Sequence, residues 1–202
     1  MKASVYLAVL GVVLFGLGAS LSGCSEDEDL TRSRVSITRV VGMGEDEDDE
    51  ELSATVYESD VVDAGDDGLV GTADDIVYED IVRVTVSNEA SSAALGLTPM
   101  GPFGSVTIKN YRVDYEIVGE HLDAISGGLH LTIPTGEQAE ARIPLVTAIA
   151  KTLPPLSMLA TQPDELLGTA VITLSGNEQD SNDEIVATAR VAVHFANWAD
   201  PD

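Results

Sequence analysis

The stretch Glu184–Phe195, "EIVATARVAVHF", decides the fold class. Ile185, Ala187, Ala189, Val191, Val193 and Phe195 are all apolar and alternate with Val186, Thr188, Arg190, Ala192 and His194. A period of two places successive side chains on opposite faces of a strand, so one face of this segment is wholly apolar and needs a core to cover it.

The same period runs through "VRVTVSNE" (Val82, Val84, Val86), "GLHLTIP" (Leu129, Leu131, Ile133) and "GTAVITLSG" (Ala170, Ile172, Leu174). In "SVTIKNYRVDYEIVG" the apolar set moves from Val106 and Ile108 to Tyr111, Val113, Tyr115 and Ile117. A change of phase by one residue predicts a β-bulge near Lys109 and Asn110. With "RVSITRVV", "SATVYESDVV", "DIVYED" and "AEARIPLVTAIA" the count is seven to nine strands, separated by Gly, Pro, Asn and Asp clusters. No window offers a long helical period. The expectation is an all-β fold: one antiparallel β-sandwich over residues 34–202, immunoglobulin-like in architecture, with long acidic and apolar loops.

The amino-terminal end carries an address. "MKASVYLAVLGVVLFGLGASLSGC" has one early lysine, an apolar run and small residues before Cys24, the only cysteine. That is the three-part pattern of a secretory signal peptide, here residues 1–23. Leu21, Ser22, Gly23 and Cys24 resemble a bacterial lipobox, which implies cleavage before Cys24 and acylation of its thiol. Lipidation makes the chain anchored to a membrane instead of spanning it. With Cys24 acylated no thiol remains for a disulfide. Residues 24–33, beginning "CSEDEDLTRS", are too charged to bury anything and read as a lipidated tether. Serine directly after the cysteine is similar to outer-membrane lipoproteins of Gram-negative bacteria, and the following acids resemble a surface-export tag. The implied location is the bacterial outer membrane, facing the periplasm or the outside.

Net charge is −25, and between Glu45 and Asp80 there are 16 acidic side chains and no lysine or arginine. Such a chain repels phosphate backbones, which excludes nucleic acid as a partner. Glu45–Glu51 are seven consecutive acids, expected to stay solvated. Two other loops are unusually apolar. One spans Ala90–Gly104 and offers Leu97, Met100 and Phe103 as a platform for a protein or glycan partner; the other spans Lys151–Gly168.

Residues 63–75, "DAGDDGLVGTADD", hold five aspartates and three glycines. Calcium takes six to eight oxygens from carboxylates and carbonyls on a backbone able to curl around it. On a twelve-residue EF-hand scheme Asp63 falls at position 1, Asp67 at 5, Gly68 at the sharp turn, Leu69 at the carbonyl position and Asp74 at 12. This resembles the loops of dockerins and thrombospondin type-3 repeats, although position 3 is Gly65 and the flanks read as strands. Asp66 or Asp75 would supply the missing oxygen. The competing reading is an acidic turn whose aspartates serve backbone geometry.

His121, His130 and His194 are scattered, and no nucleophile elbow, phosphate loop or zinc signature occurs. The expectation is a protein that is not an enzyme. The ending "VHFANWADPD" is similar to the last strand of uncharacterised bacterial lipoproteins with immunoglobulin-like domains. That resemblance implies a sandwich in the cell envelope. Two functions follow as expectations: a structural or adhesive module stiffened by calcium, or a carrier of a carbohydrate or small ligand on the apolar loops.

Overall fold

The computed structural model describes residues 33–42, 56–90 and 104–198. Its strands are β1 (Ser33–Gly42), β2 (Val56–Asp60), β3 (Asp80–Ala90), β4 (Val106–Ile117), β5 (Ile125–Ile133), β6 (Glu137–Val146), β7 (Leu166–Glu178) and β8 (Glu184–Ala196). They form a three-stranded sheet in the order β1-β3-β6 and a five-stranded sheet in the order β2-β8-β7-β4-β5. This is the all-β sandwich that the alternation predicts.

The alternating stretch behaves as its period requires. Along β8, Ile185, Ala187, Val193 and Phe195 are buried, while Val186, Thr188 and Arg190 are exposed. They pack with Ala170, Ile172 and Leu174 of β7 and with Val106, Ile108 and Val113 of β4. The other sheet supplies Val82, Val84 and Val86 of β3 with Ile143 and Leu145 of β6. Phe195 is fully buried; truncating such a ring to alanine costs about 3–5 kcal/mol in transfer and cavity energy.

The bulge lies where the phase change puts it. Register shifts between Ile108 and Asn110 in the pairings of β4 with both neighbours. Opposite it stands Gly176, where a Cβ would lie 2.0 Å from the Thr107 carbonyl oxygen. Only a glycine lets β7 follow the kinked strand this closely.

Three expectations are corrected. β2 runs parallel to β8, from Val56 opposite Ala192 to Asp60 opposite Ala196, so the sandwich is not antiparallel throughout. Alternation says which face a strand presents but carries no direction, and no hairpin sets the direction between strands so far apart in sequence. The segment "DIVYED" forms a single bridge, Asp63 to Ile76, before β3 begins at Asp80. Finally, β6 stops at Val146, and the apolar run continues as a helical turn, α1 (Ala148–Lys151), followed by α2 (Leu156–Leu159). Thr147 causes the change: its Oγ1 accepts the Ala150 amide at 3.2 Å, an N-cap that competes with strand extension. Leu156 and Leu159 then close the core from this end.

Candidate functional site

Strand directions gather one set of loops at one pole of the sandwich: residues 61–79, 118–124 and 147–165, with Asn197 and Trp198 after β8. The aspartate stretch lies here. Backbone bonds between Asp63 and Ile76, both 2.9 Å, close its base. A 3-10 turn at Gly65–Asp67 begins it, with Gly65 at φ 64°. A side chain at Gly65 would be strained there and would also meet the Asp74 carbonyl oxygen at 2.7 Å.

The carboxylates mostly serve this backbone. Asp63 Oδ1 accepts the Gly65 amide at 2.9 Å, Asp67 Oδ1 the Leu69 amide at 2.8 Å and Asp75 Oδ2 the Gly71 amide at 2.6 Å. Three of them meet at one hydroxyl. Thr72 Oγ1 lies 2.6 Å from Asp74 Oδ1, 3.2 Å from Asp75 Oδ1 and 3.4 Å from Asp67 Oδ1. The Thr72 hydroxyl, with backbone donors behind it, holds the Asp74 carboxyl below its ordinary value. The structure thus brings Asp67, Asp74 and Asp75 together around Thr72. Asp63 is engaged apart from them, Asp66 sits exposed in the 3-10 turn, and Leu69 contributes its amide to Asp67. Among the described residues no three His, Cys, Asp or Glu side chains are grouped to hold a metal.

Beneath the loop is a site that the sequence did not announce. Lys151, the last residue of α1, is 2 % exposed, and Asp80, the first of β3, is 8 % exposed. Lys151 Nζ donates to Asp80 Oδ1 at 2.7 Å and to the Asp60 carbonyl oxygen at 2.6 Å. Asp80 Oδ2 accepts from Ser59 Oγ at 2.5 Å, and the Tyr57 hydroxyl also hydrogen-bonds this carboxyl. Burial pushes the Asp80 carboxyl up, against the opposing pull of the Lys151 ammonium. Burial, then the Asp80 charge, also raises the phenols of Tyr57 and Tyr115. Tyr115 donates to the Leu145 carbonyl at 2.5 Å. Asp80 closes the stretch from Glu45 that holds 16 acidic side chains and no lysine or arginine. It is buried because a partner 71 residues away neutralises it.

A second buried carboxylate sits at the opposite pole. Glu178 is 1 % exposed and accepts from Ser33 Oγ at 2.9 Å and from Ser181 Oγ at 2.7 Å. Alongside it Asn88 Nδ2 donates to the carbonyls of Gly104 and Ile133, both at 2.9 Å. This network ties the start of β1 to the ends of β3, β5 and β7.

The histidines occupy separate places. His121 lies 3.2 Å from Asp123 in an exposed loop, His130 is exposed on β5, and His194 meets Glu165 at 3.0 Å and stands perpendicular to Trp198 with ring centroids 4.8 Å apart. Between β1 and β8 a shallow groove of about 240 Å³ is lined by Ile37, Val40, Ala189 and Val191; Arg190 on its rim pairs with Glu116. Ser33, expected to end the tether, instead opens β1 and is buried, while Cys24, the rest of the tether, the seven-acid run and the candidate platform of Leu97, Met100 and Phe103 lie outside the described residues. No protein-family model and no curated protein matches this chain.

Proposed function

We propose that this chain is a non-enzymatic lipoprotein of the bacterial outer membrane, a β-sandwich carried on a lipid anchor at Cys24 and serving as a structural or adhesive module. The observation that carries this reading is the apolar leader ending in Leu21, Ser22, Gly23 and the only cysteine. The sandwich supports it. Its first strand begins at Ser33, nine residues after Cys24, a reach of at most roughly 32 Å when extended. Ser33 stands at the Glu178 pole, opposite the aspartate loop, so the tether would join the sandwich at that end. Among the described residues the aspartate-loop pole exposes Val118, Ile149, Leu153, Met158 and Leu167, apolar side chains suited to an adhesive surface.

Calcium is the cation this pole would take, with Asp67, Asp74 and Asp75, each in contact with the Thr72 hydroxyl, as candidate hard oxygen donors that would draw closer around the ion. Its role would be to stiffen the loop. Affinity would match extracellular modules, about 10⁻⁴ to 10⁻³ M. Calorimetry against a variant with Asp63, Asp67 and Asp74 changed to alanine tests this; equal heats from both proteins would remove calcium from the reading.

The lipoprotein reading is tested by growing cells that make the full chain with a labelled fatty acid. Wild type takes up label and fractionates with membranes, while Cys24→Ala does neither. An unlabelled, soluble wild type would sink the proposal, and protease treatment of intact cells distinguishes a surface from a periplasmic face.

A further inference from the structure

The Lys151 group has no part in the function proposed above, and it is the one ion pair with both partners buried among the described residues. Two charges are withdrawn from water at a cost of several kcal/mol per ion, in a chain whose single cysteine leaves it no disulfide. An amine nitrogen and a carboxyl group are held in contact at 2.7 Å, with both side chains shielded from solvent. For an ordinary hydrogen-bond angle the Asp80 Cγ then lies roughly 3.5 Å from Nζ, so a rotation of the carboxyl group, without any backbone movement, would bring its carbonyl face to the nitrogen. The remaining carboxyl oxygen is already covered by a hydroxyl donor, Ser59 Oγ at 2.5 Å, and Tyr57 bonds the same group.

We infer that Lys151 and Asp80 join in an intramolecular isopeptide bond, formed by the folded chain itself through loss of one water molecule.

The step balances without an oxidant, a cofactor or an activated ester. One proton passes from the Lys151 ammonium to Asp80 Oδ1, converting the ion pair into a neutral amine and a carboxylic acid. Burial already pushes the Asp80 carboxyl up, toward the protonated acid. The freed lone pair on Nζ attacks Cγ, and negative charge develops on Oδ2, where the hydroxyl of Ser59 stands ready to stabilise it. The Nζ–Cγ bond forms. The Cγ–Oδ1 bond then breaks, and Oδ1 departs as water with the transferred proton and a second one from nitrogen. The third proton stays on nitrogen as the amide N–H, already directed at the Asp60 carbonyl oxygen at 2.6 Å. Shielding that costs free energy for an ion pair here acquires a use: it keeps water away from the product amide.

The bond would tie the start of β3 to α1, the segment that follows β6 of the same sheet and leads through α2 to β7 of the five-stranded sheet. It would lie at the exposed pole of a protein proposed to bear contacts, where a covalent tie resists forced opening.

Peptide mapping of the purified full chain tests the bond directly. Trypsin cuts after Arg39, Arg83, Arg142, Lys151 and Arg190. The expected product is a branched species joining residues 40–83 to residues 143–190, uncut after Lys151 and one water lighter than the sum of its parts. Fragmentation places the link between Asp80 and Lys151. Recovery of linear 40–83 and 143–151 peptides at unshifted mass would overturn the inference, and wild type alone gives this answer without any variant having to fold. Asp80→Ala and Lys151→Arg should each abolish the branched species. Its persistence in either would assign the link to other residues and equally overturn the proposal.

Discussion

Asp80 and Glu178 are both buried carboxylates, one at each pole of the same sandwich, yet different chemistry holds them. Asp80 faces an ammonium and two hydroxyls; Glu178 receives two serine hydroxyls and belongs to no ion pair among the described residues. The difference teaches what each network is for. Donors from Ser33 and Ser181 hold strand ends in place and can be replaced by other neutral groups. A buried ammonium against a carboxyl is costly unless both partners remain, which makes the Lys151 pole an all-or-nothing device.

Removing one partner at each pole should separate the two cases. Lys151→Met leaves Asp80 buried without its cation and should lose about 3–5 kcal/mol, measured by denaturant unfolding. Glu178→Gln keeps a carbonyl acceptor for one serine and should lose less, with an upper bound of about 3 kcal/mol for the unsatisfied hydroxyl. Equal losses would break the contrast. A double variant, Lys151→Met with Asp80→Leu, sharpens it further. Replacing a buried ion pair by apolar side chains is often neutral or stabilising, so a purely ionic contact would be recovered. An isopeptide bond would not be, because its closure of a 71-residue separation contributes about 4 kcal/mol through the unfolded chain.

The tyrosines around Asp80 give a second, smaller test. Burial raises the folded-state phenols of Tyr57 and Tyr115 above their ordinary value. A raised acid contributes stability fully present below the unfolded pKa, about 10, and lost as pH rises toward the folded one. Wild-type stability should therefore fall on the alkaline side, by about 1.4 kcal/mol per pH unit for each tyrosine in that window. Tyr57→Phe should flatten the alkaline fall, as should Tyr115→Phe after its initial cost for losing the Leu145 contact. The Glu178 pole has no tyrosine among its named partners, so Glu178→Gln should leave the alkaline slope unchanged.

How much of this was legible differs between faces and ends. The faces of β8, β7 and β3 follow from alternation alone, because burial of one side is a local property with a period of two. So does the bulge, since a phase change in the apolar set is visible in "SVTIKNYRV" without knowing the partner strands. The ends were hidden because they depend on contacts distant in sequence. Nothing around Asp80 distinguishes it from its solvated acidic neighbours until Lys151 is brought beside it. Lys151 carried a faint signal, a single lysine inside the apolar run "TAIAKTL", where the surroundings are too greasy for an ordinary surface residue. The parallel partner of β2 left no signal, since neither strand records direction. In the aspartate loop the acid types were legible but their roles were not: Asp63 and Asp67 each close a local turn, yet only Asp67 also meets Asp74 and Asp75 at Thr72.

The exposed aspartates complete the comparison as a third kind of carboxylate, one governed by local hydrogen bonds, and they give the smallest effect. Asp74 is held below its ordinary value first by the Thr72 hydroxyl. For a depressed acid the stabilising contribution is present above the unfolded carboxylate value and is lost as pH falls through the folded one. Asp74 is fully exposed, so solvent screens it and the loss should appear in the loop and not in global unfolding. Thr72→Val removes the hydroxyl while keeping the side chain's shape. In an NMR titration of its carboxyl carbon, Asp74 should then take up its proton at higher pH than in wild type, and the Asp67 and Gly71 amides should exchange faster. An unchanged Asp74 titration would mean that the backbone donors alone set its acidity, and Thr72 would then be a bystander to the three carboxylates around it.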